Sequence, residues 1–155
     1  MTALLAVGAL AQALASPDAV ASAVPTDAVA SASPDDAVIS DSGSTNTAGY
    51  RLVIHRDGTA DVFQNGRTTR RVLAHPQTAW LFAKLDEDAP LDAVETGHCM
   101  RSMSFGTVTR IAYRGRSTGD VQCSVSPAAA ELKRTVRTIV AQLGIATRPF
   151  RRFAL

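Results

Sequence analysis

The chain has 155 residues, which allows one ordinary domain and little else. Residues 1–48 hold five Asp and no Lys or Arg, whereas all 16 basic residues lie from Arg51 onward. From residue 49 the chain carries sixteen cations against nine acids, a formal +7 that the whole-chain value of +2 conceals. That charge favours an anionic partner such as an envelope polymer or acidic surface, and the scarcity of aromatic residues argues against sequence-specific nucleic-acid reading.

Residues 3–15 form an apolar run broken only by Gln12. It is short of the roughly 20 residues a spanning helix needs, so no transmembrane segment is expected. It has the length of a signal-peptide core. Ala13-Leu14-Ala15 supplies a small-residue cleavage site, and Ala21-Ser22-Ala23 a second one that would move the cut to residue 23. Met1-Thr2 offers only the α-amino group where a signal normally carries a basic residue. The expectation is a signal peptide over 1–15 and a periplasmic or secreted protein.

Residues 16–48 are low in complexity. Pro17-Asp18-Ala19-Val20-Ala21-Ser22, Asp27-Ala28-Val29-Ala30-Ser31 and Asp36-Ala37-Val38-Ile39-Ser40 repeat one theme. So few bulky residues bury too little to offset ordering entropy, which predicts a disordered linker over 16–48. The folded domain is then expected over 49–147, with a basic tail over 148–155.

Tyr50 to His55 is rich in strand formers. Asp57-Gly58 marks a turn, and Thr59 to Gln64 a second strand. Asn65-Gly66 is a strong hairpin signal because both turn residues must reach positive φ. Arg67 to Leu73 follows as a third strand. Pro76 suits a helix first turn, with Ala79, Phe82, Ala83 and Leu85 as its apolar stripe and Trp80 beside it. Asp86-Glu87-Asp88 and Pro90 stop that helix.

From Cys99 the strand pattern returns over Met100–Phe105, Thr107–Arg114 and Asp120–Ser124. Ser126 and Pro127 open a last helix. Its stripe is Leu132, Val136, Ile139, Val140 and Leu143, and Gly144 caps it. The expected fold is α+β: an antiparallel sheet in βββα–βββα order, two helices packed on one face, and one disulfide.

Cys99 and Cys123 are the only cysteines. In an exported chain such a pair reads as a disulfide. No histidine pair has helical metal-ligand spacing, so His55, His98 and Cys99 could form a zinc site only by assembly in space. No metal or cofactor is expected. His98 beside Cys99 on a strand would point to the opposite face and could not activate it as a nucleophile. A small hydrolase would need a Gly-x-Ser-x-Gly elbow, which is absent, or opposed buried carboxylates. Asp86, Glu87, Asp88, Asp92 and Glu95 instead read as a surface acidic loop.

The arginines carry the binding expectation. Arg67, Arg70 and Arg71 share one strand, and Arg110, Arg114 and Arg116 lie on and after another. Arg110 and Arg114 have the same parity and would face one side of the sheet, making a basic surface for an anionic envelope polymer. The function expected is therefore a non-enzymatic binding or interaction module. The alternative is a secreted inhibitor of another protein.

Cys99-Met100-Arg101-Ser102-Met103-Ser104-Phe105-Gly106, followed by Tyr113-Arg114-Gly115-Arg116-Ser117-Thr118-Gly119-Asp120-Val121-Gln122-Cys123, resembles a group of small exported bacterial proteins of uncharacterised function. Their pattern is a Cys, then Ser-x-Ser-Phe-Gly, then aromatic-x-Gly-x-Ser-Pro-Asp-Leu-x-Cys. The Cys pair, Phe105-Gly106 and Asp120 match. Thr118-Gly119 departs from the Ser-Pro of the group, and Val121 from its Leu. The resemblance implies a secreted, disulfide-bonded domain and supplies no catalytic residue. On that motif Phe105 reads as core, Gly106 and Gly115 as turn positions, and Asp120 as a turn cap or an arginine partner.

Overall fold

A computed structural model describes residues 32–87 and 90–147, all within the compact unit Ser31–Leu155. The expected signal peptide, the first part of the linker and the basic tail lie outside the described residues.

Six antiparallel strands form one sheet: β1 Ala37–Asp41, β2 Tyr50–Ile54, β3 Thr59–Gln64, β4 Arg67–Val72, β5 Thr109–Tyr113 and β6 Arg116–Ser117. Their order is β4-β3-β2-β1-β5-β6. β1 is thus central, paired through Ile39 with Leu52 on one side and Ile111 on the other. This corrects the linker boundary. The third copy of the Ala/Asp theme differs from the others in its Val38-Ile39 pair. Ala37 and Ile39 are fully buried, so pairing on both edges supplies what local composition does not.

The turns follow their chemistry. Asp57 Oδ1 accepts from the Thr59 N–H at 2.8 Å and from its hydroxyl at 2.7 Å, and Gly58 sits at φ 89°. Asn65 and Gly66 take φ 53° and 69°, and Arg114 and Gly115 repeat this at 49° and 73°. Both hairpins therefore close with two left-handed residues. Arg114 is a costly occupant of such a position.

Helix α1 spans His75–Glu87 and α2 spans Pro127–Gln142. Ser126 caps α2 by accepting from the Ala129 N–H at 3.2 Å. At its other end the Gly144 N–H reaches Ala141 O and the Ile145 N–H reaches Val140 O, both at 3.1 Å, with Gly144 at φ 59°. That is the crossed pair of bonds a glycine-terminated helix uses. The Arg71 guanidinium also donates to Leu143 O, adding a cation at the negative helix end. The buried stripe of α1 is Thr78, Leu81, Phe82 and Leu85. Ala79 and Ala83 face out and Trp80 is 43% exposed: the helix turns its larger side chains inward. Lys84 joins Glu131 across the two helices at 3.2 Å.

Alternate strand residues Ala37, Ile39, Leu52, Ile54, Ala60, Val62, Ile111 and Tyr113 share one core with Leu81, Phe82 and Leu85 of α1 and Leu132, Val136 and Ile139 of α2. Residues of the other parity, including Ser40, Arg51, Phe63 and Arg110, lie on the opposite face.

The element order is ββββα followed by ββα, not βββα–βββα. Met100–Phe105 is not a strand, and Asp120–Ser124 is a short 3-10 turn over Val121–Cys123 with flanking residues. Asp120 caps that turn through its own carboxylate, which a strand could not accommodate.

Candidate functional site

A long connection without helix or strand runs from Val94 to Val108. Its backbone is anchored along its length. Thr96 bridges Ser124, and the Gly97 N–H donates to Cys123 O at 2.7 Å. Cys99 and Cys123 form a disulfide with Cα atoms 5.5 Å apart. Within the loop, the Gly106 N–H donates to Ser102 O at 2.7 Å. A Cβ at Gly106 would lie 2.5 Å from Arg101 Cβ and 2.7 Å from Ser102 O, so glycine is required for this turn. The far side docks on the β1–β2 connection. Ser104 O accepts from Ser44 Oγ at 2.9 Å and the Asn46 N–H at 3.2 Å, the Ser42 N–H donates to Val108 O at 3.0 Å, and the Val108 N–H donates to Ser42 Oγ at 3.0 Å.

Asp120 is the node beneath the staple. It is 8% exposed. Its Oδ1 accepts from the N–H groups of Thr109 at 2.8 Å and Gln122 at 3.1 Å. Its Oδ2 pairs with the Arg101 guanidinium, which also lies 3.1 Å from Cys123 Sγ. Asp120 is thus both turn cap and arginine partner. Gly119 beside it is also forced, because a Cβ there would run into the Thr96 side chain.

On this fixed backbone the large side chains face outward. Met100 and Met103 are 104% and 91% exposed, and Phe105 is 60% exposed. The core reading of Phe105 is therefore corrected: the chain joins the sheet only at Thr109, four residues later. Sequence reasoning missed this surface by treating 100–105 as a strand. The signal was present, since Met100 and Met103 are three apart and cannot share a strand face.

Among the described residues the histidines do not join the cysteines in a shared ligand cluster. The ligand atoms of Cys99, Asp120 and Cys123 lie within 4.8 Å of one another, but the two sulfurs are bonded together and Arg101 occupies the carboxylate. His98 is exposed beside a sulfur with no thiol to activate. His55 belongs to the sheet, where Nδ1 meets Asp36 at 2.9 Å and Nε2 meets Asp61 at 3.5 Å. Burial opposes its charge, but the hydrogen bonds and charges of those two carboxylates together raise its pKa.

The six arginines singled out by sequence are dispersed. Arg70 binds Asp61 at 2.8 Å, Arg71 caps α2 and Arg116 meets Asp92 at 3.2 Å. Arg114 pairs with Asp86 at 3.1 Å and Asp35 at 3.4 Å and stacks on Tyr113. Its left-handed backbone breaks the alternation that would have aligned it with Arg110. Arg67 and Arg110 have no side-chain partner among the described residues. They sit on strands at opposite sides of β3-β2-β1.

Among the described residues no helix is long and apolar enough to cross a membrane. No family model, no curated protein and no solved structure matches this chain.

Proposed function

We propose that this chain is an exported, non-enzymatic interaction module whose working surface is the stapled loop over residues 99–106. The carrying observation is the contrast between an anchored backbone and the nearly complete exposure of Met100 and Met103. A backbone held this way has already lost the entropy that a mobile loop would lose on binding. Burying each of these side chains in a partner contributes about 1.5–3 kcal/mol, and methionine adapts to an irregular apolar pocket. A protruding apolar loop fits a concave protein site, which favours the inhibitor form of the reading over an anionic polymer. The disulfide suits an oxidising compartment, and the apolar run over 3–15 and the resemblance to exported bacterial proteins support export.

A weaker second reading keeps an anionic envelope surface as partner. It rests on Arg110, which shares one row of the sheet with Ser40 and Arg51 and has no acid partner among the described residues.

A photo-crosslinking side chain placed at 100, 103 or 110 in the full chain separates the two. In the native host's envelope, positions 100 and 103 are expected to give one discrete protein adduct, competed by unlabelled protein and lost when the other methionine becomes Asp. No adduct at either loop position would overturn the loop reading. Salt-sensitive retention on anionic polymer that depends on Arg110 would favour the second.

A further inference from the structure

A cleft of about 330 Å³ opens between the C-terminal half of α2, the start of β2 and Phe105 at the end of the stapled loop. Val136, Val140 and Ile145 give it an apolar wall. That volume lies within the range of small-molecule sites.

Its polar groups are unequally engaged. Asp41 already accepts from the Gly43 N–H at 2.9 Å and the Thr109 hydroxyl at 2.7 Å. Tyr50 lines the cleft and is only 7% exposed, yet its hydroxyl has no hydrogen-bond partner among the described residues. Burial first, and then the charge of Asp41, keep that phenol protonated, so it is available as a donor. Arg137 lines the same cleft from α2, exposed and without an acid partner among the described residues. A phenol and a guanidinium are therefore unengaged donors of the cleft. A ligand oxygen in the cleft would give that phenol an acceptor from a bound partner rather than from solvent.

We propose that this cleft binds a small apolar carboxylate, its hydrocarbon body against Val136, Val140, Ile145 and Phe105 and its oxygens taken by Tyr50 and Arg137. The site goes beyond the loop reading and does not rest on it. Met100 and Met103 do not line the cleft, so either surface can fail alone.

Benzoate, benzyl alcohol and benzylamine, titrated into the isotope-labelled full chain with the disulfide intact, test this by NMR. Benzoate is expected to shift the amides of Tyr50, Phe105, Val140 and Ile145, benzyl alcohol to do so more weakly, and benzylamine least. R137Q should weaken benzoate about tenfold and leave benzyl alcohol unchanged. F105A, at an exposed position, should weaken both. Y50F should weaken benzoate severalfold. If Y50F does not fold, the surface variants R137Q and F105A decide. No shift at these amides with millimolar benzoate would overturn the proposal. Equal shifts from benzylamine, or a benzoate affinity indifferent to R137Q, would overturn it as well.

Discussion

The two ends of β5 behave differently. At the Tyr113 end, charged side chains find partners. Arg56 lies over the Phe82 ring at 4.7 Å and bonds Asp86 at 3.2 Å, and the Tyr113 hydroxyl donates to Asp86 at 2.8 Å. Asp86 itself stands at the unfavourable end of α1, and its arginines offset that. At the Thr109 end, the backbone is satisfied while the large apolar side chains are not. Among the described cations, Arg56, Arg70, Arg71, Arg101, Arg114 and Arg116 are engaged in holding the fold together, and the unusual apolar exposure lies in a short loop. Net charge located a property of the surface; the position of unsatisfied groups locates the candidate site.

The sharpest way to break that comparison is truncation at both places. Leu132→Ala in the core should cost about 2–5 kcal/mol. Met100→Ala and Met103→Ala should each stay within about 0.5 kcal/mol. Denaturant titration measures both, and a destabilising Met100→Ala would mean that the loop packs on the domain. Removing the staple with C99S/C123S should cost roughly 3 kcal/mol from loop-closure entropy. Amide exchange should accelerate over 100–108 while β1, β2 and β3 keep their relative protection. Asp120→Asn leaves Arg101 without its carboxylate and weakens the bonds to Thr109 and Gln122. A loss of about 1.5–3 kcal/mol is expected, with faster exchange in the loop and none at the Arg56–Asp86 end.

His55 gives the smallest effect and the one with a pH signature. Its pKa is raised in the folded protein, so its contribution is fully present below its ordinary value near 6.5. That contribution is lost as pH rises through the raised value. The difference in Tm between the wild type and His55→Gln should therefore be largest at mildly acid pH and shrink toward pH 9. A difference that grows with pH would contradict the Asp36–His55–Asp61 account.

The elements with strong local chemistry were legible in the sequence. Asn65-Gly66, Ser126-Pro127 and Gly144 do what their side chains dictate, and the two cysteines pair. β1 was not legible, because its evidence is tertiary: Ala37 and Ile39 matter only once Ile54, Leu52 and Ile111 flank them. Arg114 misled because a two-residue hairpin forces it to positive φ, which parity along a strand cannot foresee. The loop site was half legible. Gly106, Asp120 and the cysteines were recognised as structural, whereas the outward direction of Met100, Met103 and Phe105 depends on contacts with Ser42, Ser44 and Asn46, far away in the chain.

The central claim is that residues 100–106 form a held loop with outward apolar side chains. Backbone 15N relaxation on the oxidised and reduced full chain tests it directly. The account expects order parameters of about 0.85 across 100–106 in the oxidised protein, like those of the strands, falling below about 0.6 on reduction. Values below about 0.6 with the disulfide intact would contradict it, because a loop already mobile is not pre-organised for a partner.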